Sequence, residues 1–281
     1  MIKLLPDEHG LLAEYIHSIC AVTLDQSKAY LMEGRLGRLV EETACGSYRC
    51  LVQRAKAESG RSLERRIIDA ITTNETSFFR DPTPFELLRH KIVPDLIDRR
   101  KRAGAGQIRI WSAACSTGQE VYSIAILLKE MLGDPDRYGV QLVGTDISDE
   151  AVARASRGWY NATEIARGLG EPLRDRYFVK ARDGWQIRDE IRALASFKHL
   201  NLMNDLSSLG RFDIVLCRNV AIYFSESDKI SLFQRIARAL EPHGYLLIGA
   251  MESLNGAAPQ FESKRHLRAV YYQLNPEART A

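Results

Sequence analysis

No C-x-x-C pair occurs in the chain. Its five cysteines (Cys20, Cys45, Cys50, Cys115, Cys217) are odd in number and stand at no metal-ligand spacing to its six histidines. This excludes a disulfide framework and a cysteine–histidine metal site, and points to reduced thiols in a cytosolic setting. No apolar run approaches the roughly 18–20 residues that span a bilayer, so no membrane insertion is expected. The opening stretch MIKLLPDEHG has one lysine followed at once by acids, which gives no signal peptide and an expected cytoplasmic location. A net charge of +3 is too small to make nucleic acid the default partner. What remains is 281 residues with 45% hydrophobic content, room for one large or two ordinary domains with a real core.

The most informative stretch is Ile108–Glu120, IRIWSAACSTGQE. Ile108, Ile110 and Trp111 read as a strand, the small residues as a tight bend, and Val121–Met131 as an amphipathic helix. Strand, bend and helix form the first βα unit of a doubly wound sheet, whose ligand sits over the helix N-terminus. Ala113, Ala114, Ser116 and Gly118 lack bulk, so a ligand can come close to the backbone. The bend has neither G-x-G-x-x-G nor G-x-x-x-x-G-K-[ST], which removes the dinucleotide and P-loop readings. Glu120, in the first helical turn, complements the helix dipole but would repel a pyrophosphate bound there. It suits a ligand with an ammonium group. S-adenosylmethionine carries an ammonium, a sulfonium, a ribose and an adenine, and no phosphate. The competing reading is that Glu120 merely caps its helix. Cys115 reads as a small filler, because nothing basic adjoins it to activate a thiolate.

Residues 1 to about 101 read as an all-helical domain with a linker helix. Leu11, Leu12, Tyr15, Ile16 and Ile19 recur at helical spacing, as do Leu31, Leu36, Leu39 and Val40. Its arginines (Arg35, Arg38, Arg54, Arg65 and others) form either a solvated face or a docking surface for an acidic partner. The segment Thr72–Pro82 runs from polar residues into Phe78, Phe79 and Arg80. It is either a hydrophobic plug with Arg80 in a surface ion pair, or a cavity mouth lined by Asn74, Thr76 and Arg80. A helix pattern follows from Pro84 to Leu96, and RAGAG at 102–106 reads as a flexible joint. The second domain, 102–281, continues with a strand Val140–Thr145 ending at Asp146. That acid is placed to accept from ribose hydroxyls, with Ser148 capping the next helix and leaving Asp146 free. An insertion at about 158–195 carries a hairpin around Arg182-Asp183-Gly184. Further strands are Ser196–Leu200, delivering Asn201 and Leu202, and Phe212–Cys217, ending at Arg218-Asn219 with Tyr223 beyond. A helix Ser227–Leu240, a turn Glu241–Gly244, a strand Tyr245–Gly249, the segment Met251–Leu254 and two last strands, Phe261–His266 and Ala269–Leu274, complete the chain.

Four motifs in this order are Asn74–Arg80, Trp111–Glu120, Thr145–Ser148 and Cys217–Val220 with Tyr223-Phe224. Together they resemble the CheR family, the chemoreceptor glutamate O-methyltransferases of bacteria. The resemblance implies an α/β fold: a doubly wound, Rossmann-like methyltransferase domain with an inserted β-hairpin subdomain, preceded by an all-α domain. It implies S-adenosylmethionine as cofactor and S-adenosylhomocysteine as product. It also implies glutamates on the cytoplasmic helices of methyl-accepting chemoreceptors as acceptors; a monomer is the default expectation, which neither the residues nor the resemblance decides. Carried over residue by residue, the cofactor positions are Asn74, Thr76, Arg80, Glu120, Asp146, Asn201, Leu202, Arg218 and Asn219. Arg80 and Tyr223 match the substrate-orienting positions. No metal is implied.

The chemistry fits this inventory. A glutamate carboxylate is already ionised at neutral pH and needs no general base, in keeping with the lack of a conspicuous histidine–carboxylate pair. In members that tether to a receptor C-terminal pentapeptide, the inserted subdomain has a longer, glycine-rich loop. The compact Lys180–Trp185 turn here implies no use of the tether. Two alternatives stay open: a methyltransferase acting on a signalling protein outside motility, and a non-catalytic cofactor-binding regulator.

Overall fold

The computed structural model describes residues 2–103, 106–254 and 256–276. Four helices open the chain: α1 (Pro6–Cys20), α2 (Ala29–Glu42), α3 (Tyr48–Ala57) and α4 (Ser62–Ile71). Their starts follow local chemistry, with Pro6 in the first turn of α1 and Ser47 accepting from the Cys50 N–H to cap α3. Leu12, Ile16, Met32, Leu36, Val40, Leu51 and Ile67 bury their apolar faces in one core. Each such side chain contributes about 1.5–3 kcal/mol of burial.

The linker helix begins earlier than the periodicity predicts, at Pro82. Proline at the first helical position has no N–H to lose there. It runs as α5 (Pro82–Leu87), a wide π-type turn (Leu88–Ile92) and α6 (Val93–Ala103). Pro94 accounts for the wide turn, since its ring crowds the carbonyl four residues back and it donates no hydrogen bond. The joint expected at 102–106 lies partly outside the described residues.

The main sheet has seven strands in the order β6-β2-β1-β7-β8-β10-β9. They are β1 (Ile108–Ala113), β2 (Val140–Asp146), β6 (Ala195–His199), β7 (Phe212–Cys217), β8 (Leu240–Ile248), β9 (Phe261–His266) and β10 (Ala269–Leu274). The first five are parallel, and β10 pairs antiparallel with both β8 and β9. Helices α7 (Gln119–Leu132), α8 (Asp149–Arg157) and α12 (Glu226–Ala239) cross between strands. Glu241–Gly244, expected as a turn, is part of β8. The ladder jumps from Phe212↔Leu240 to Ile214↔Tyr245, so the extra residues bulge within the strand. Among the described residues no helix is long and apolar enough to cross a membrane.

The insertion forms a second sheet, β3-β5-β4, from β3 (Trp159–Asn161), β4 (Phe178–Ala181) and β5 (Gly184–Ile187). Short helices α9 (Ala162–Ala166) and α10 (Glu171–Tyr177) join β3 to β4, and α11 (Asp189–Arg192) leads back to the main sheet. The expected hairpin is present, but its loop is only Arg182-Asp183, and Gly184 pairs with Ala181 as strand. A Cβ on Gly184 would lie 2.4 Å from the Trp159 ring, so packing rather than the turn requires glycine there. The three-residue β3 is too short to show an alternating pattern in sequence.

Phe78 plugs the insertion into the rest of the molecule. It is fully buried, with its ring edge-on to Tyr160 (5.0 Å) and Phe178 (5.5 Å). Gly168 passes so close that a Cβ there would lie 1.9 Å from the Phe78 carbonyl oxygen, and its φ is +93°. Gly168→Ala therefore meets both a clash with backbone and a disfavoured φ, and is expected to lower stability by more than about 2 kcal/mol. A lower urea midpoint checks this; an unchanged midpoint would count against the packing described.

Candidate active site

The bend after β1 is strained and tied down. Ala114, Ser116 and Gly118 all have positive φ (55°, 52° and 93°). A Cβ on Gly118 would stand 2.9 Å from the Ala155 Cβ, so α8 allows only glycine there. Asp146, at the end of β2, holds the bend by accepting from the Ser116 N–H (2.8 Å) and the Ser148 N–H (3.0 Å). The Ser116 hydroxyl donates to the Asn74 carbonyl (3.0 Å), which ties the bend to the segment leading from the helical part. Ser148 caps α8, accepting from the Ala151 N–H, as expected. Asp146 is not left free, however. A strand-end carboxylate beside a left-handed bend is the nearest acceptor for the bend's N–H groups. Each of its oxygens keeps a second lone pair. Burial pushes the Asp146 carboxyl above its usual range, opposed by the backbone N–H groups of Ser148 and Ser116.

A buried ion network forms the adjoining wall. The Arg218 side chain is only 2% exposed. It donates to Glu120 Oε2 (2.8 Å), to Asp81 Oδ2 (2.8 Å) and to the Arg80 carbonyl (2.9 Å). Glu120 Oε1 accepts from the Ser112 hydroxyl (2.7 Å). Glu120 therefore does more than cap its helix: it is one of two carboxylates neutralising a buried arginine. Asp81 has a positive φ of 56°, and the sequence reading assigned it no role. The Asp81-Pro82 pair was its only signal.

These two constructions border one cavity, open to solvent. Asn74, Thr76, Arg80, Glu120, Asp146, Asn201, Leu202, Arg218, Asn219 and Tyr223 all line it. Residues scattered over 150 positions of sequence are thus brought to one surface. Some are engaged in ways the sequence did not show. The Asn201 amide donates to the Ile19 carbonyl at the end of α1 (2.9 Å), and its oxygen accepts from the Met203 N–H (2.9 Å). Arg80 bonds the Glu75 carbonyl (3.1 Å) and makes no ion pair among the described residues, so the surface-pair reading is set aside. The Tyr223 carbonyl accepts from the Thr23 N–H (2.9 Å). Cys20, Val22 and Glu75 are among the further lining residues, unpredicted. Cys115 is buried, and burial together with Asp146 and Glu120 pushes its thiol well up. It stays protonated, a filler rather than a nucleophile.

The donor set suits a phosphate-free cation with hydroxyls. Arg218 is already matched by two carboxylates. Of the lining acids, Asp146 keeps lone pairs for hydroxyls, and Glu75 and Glu120 add negative charge. A buried carboxylate beside a small-residue bend would be a poor host for pyrophosphate.

The family described as "CheR methyltransferase, SAM binding domain" matches residues 74–270. The chain is 40% identical over 265 residues to the chemotaxis protein methyltransferase Cher2 of Pseudomonas putida, covering 92% of this chain and 94% of that protein. It is 39% identical over 264 residues to chemotaxis protein methyltransferase 1 of Pseudomonas aeruginosa, covering 92% and 94%. A third, the chemotaxis protein methyltransferase of Vibrio parahaemolyticus, is 37% identical over 276 residues, covering 97% and 98%. With the strained bend, the buried acid at the end of β2 and the family match in accord on S-adenosylmethionine as cofactor, the chain belongs to the CheR methyltransferases.

Proposed function

We propose that this enzyme transfers a methyl group from S-adenosylmethionine to glutamate side chains on the cytoplasmic helices of bacterial chemoreceptors, forming methyl esters for sensory adaptation. The observation that carries the reading is Arg80. It is a half-buried guanidinium on the cavity wall, bonded only to a backbone carbonyl among the described residues. Such a fork matches a carboxylate. In this reading the chain divides into a helical domain, 1–101, and a methyltransferase domain, 102–281, with its insertion at about 158–195.

The cofactor supplies an electrophilic methyl group on a sulfonium. Every other part of the work falls to the chain. Arg80 holds the acceptor carboxylate and Tyr223 sets its angle. Asp146 offers its remaining lone pairs to hydroxyls, and Glu120 offers charge to an ammonium. Asn74, Thr76, Asn201, Leu202, Arg218 and Asn219 complete the cofactor surface. The acceptor carboxylate is already ionised, so no residue has to remove a proton. The gain comes from in-line placement with water kept out, which can contribute about 7–11 kcal/mol. The insertion's compact turn supports direct engagement of the methylation region, without a C-terminal pentapeptide tether.

Three outcomes are expected. Arg80→Ala loses a charged hydrogen-bonding partner of the acceptor, about 3 kcal/mol or roughly a hundredfold in turnover. Labelled methyl transfer to receptor cytoplasmic fragments measures it, and near-parental turnover removes Arg80 from the mechanism. Calorimetric titration with a receptor-type C-terminal pentapeptide should give no heat of binding, whereas low-micromolar affinity would show that the tether is used. The third concerns pH. The folded-state pKa of Asp146 is raised, so the folded chain takes up this proton before the unfolded chain does. The cost of its buried charge is present at neutral pH and relieved as pH falls through that raised value. The same protonation weakens an acceptor of hydroxyls, so cofactor affinity should fall on acidification. Asp146→Asn should bind more weakly at neutral pH and lose that part of the pH dependence; an unchanged titration curve would remove Asp146 from the cofactor surface.

A further inference from the structure

The segment after β8 carries an acid that the mechanism above leaves unused. Glu252 Oε2 accepts two backbone N–H groups at once, from Asn219 (2.8 Å) and from Gly249 (2.7 Å). Glu252 Oε1 is buried and has no partner among the described residues. The two N–H groups lie just beyond the ends of the parallel neighbours β7 and β8, whose last ladder pair is Cys217↔Ile248. The ladder ends at that pair, so neither donor has a ladder partner. A single carboxylate oxygen bridges the gap.

Two further features depend on this bridge. Asn219 has a φ of 57°, a left-handed conformation that asparagine adopts more readily than most residues and that the bonded N–H here holds in place. At Gly249 the constraint is room. A Cβ there would stand 2.6 Å from Glu252 Oε2, 2.8 Å from Asn219 Nδ2 and 3.1 Å from the Asn219 nitrogen. The carboxylate, the left-handed asparagine and the bare glycine occupy one packed corner, and Asn219 continues from it onto the cavity wall.

We propose that Glu252 is a positioning residue for methyl transfer. Its bridging oxygen fixes the backbone at Asn219, and with it the place of the Asn219 side chain at the cofactor. This rests on the reading that Asn219 touches the cofactor. What matters is an acceptor oxygen at glutamate's reach, not a negative charge. Glutamine keeps that oxygen and that length. Aspartate keeps the charge but is one methylene too short.

The test uses the full chain without cofactor for one readout and cofactor affinity for the other. Amide hydrogen exchange at Asn219 and Gly249 should stay slow in Glu252→Gln and become fast in Glu252→Asp and Glu252→Ala. The dissociation constant of S-adenosylmethionine should rise roughly tenfold or more in the Asp and Ala variants and be rescued by Gln, as loss of the two hydrogen bonds that hold the Asn219 backbone implies. Asn219→Ala should weaken affinity similarly, and adding Glu252→Ala to it should cost little more. Aspartate outperforming glutamine, or additive losses in the double variant, would overturn the proposal. Fast exchange in Glu252→Gln would overturn the bridge and leave the cofactor reading standing. Unchanged affinity in Asn219→Ala would end the cofactor role of Asn219, and the positioning role with it.

Discussion

Arg218 is the charge on which the cavity is built. A guanidinium taken out of water is costly unless paired and hydrogen-bonded, and here Glu120 and Asp81 each stand 2.8 Å from it. These three groups belong to distant stretches: the start of α7, the residue before Pro82 and the residue after β7. Burying one arginine therefore fixes three backbones relative to each other. Removing Glu120, the mostly buried partner, would cost up to about 3–5 kcal/mol, whereas the partly exposed Asp81 would cost less because water screens it and Glu120 still pairs the arginine. The Arg80 carbonyl is drawn into the same network, so the Arg80 side chain starts from a fixed point.

The second constraint is steric. The bend after β1 brings backbone close to a ligand only because three of its residues accept left-handed conformations. Such strain persists where the surroundings over-determine it. Asp146 and the Asn74 carbonyl do that by binding the Ser116 N–H and hydroxyl. Asp146 is thus asked to hold the bend and to face the cavity, and its raised pKa follows from the burial that both duties require.

The fold was legible where periodicity was strong. The helical opening, the βα unit at Ile108–Met131 and the closing strands were all expected, as was the insertion's hairpin. The misreadings have local causes. Glu241–Gly244 contains proline and glycine and looks like a turn, but neighbouring strands absorb it as an irregularity in β8. The strand at Trp159–Asn161 is too short to alternate. The candidate site residues were legible through their motifs, and the structure gathers them on one cavity. Their engagements were not legible. That Asn201 spends its amide on Ile19, or that Asp81 meets Arg218, depends on contacts between segments more than a hundred residues apart.

Those long contacts give the helical part a place in the chemistry. Cys20 and Val22, just at and past the end of α1, form cavity wall, and next to them the Ile19 carbonyl and the Thr23 N–H bond Asn201 and the Tyr223 carbonyl. His17 adds a contact to Asp228 at the start of α12 (2.8 Å). Farther along, Asp69 in α4 accepts from the Ser148 hydroxyl (2.7 Å), beside the acid that holds the bend. Two strand ends of the sheet, after β6 and β7, are thus fastened to one helix end across the cavity they enclose. A ligand that fills this cavity stabilises both walls, so binding free energy is also free energy of association between the helices and the sheet. The reciprocal holds by linkage: anything that draws the helices onto the sheet raises affinity for the ligand between them. The end of α1 thus covers one side of the methyl-transfer cavity and leaves the open side for the acceptor to enter.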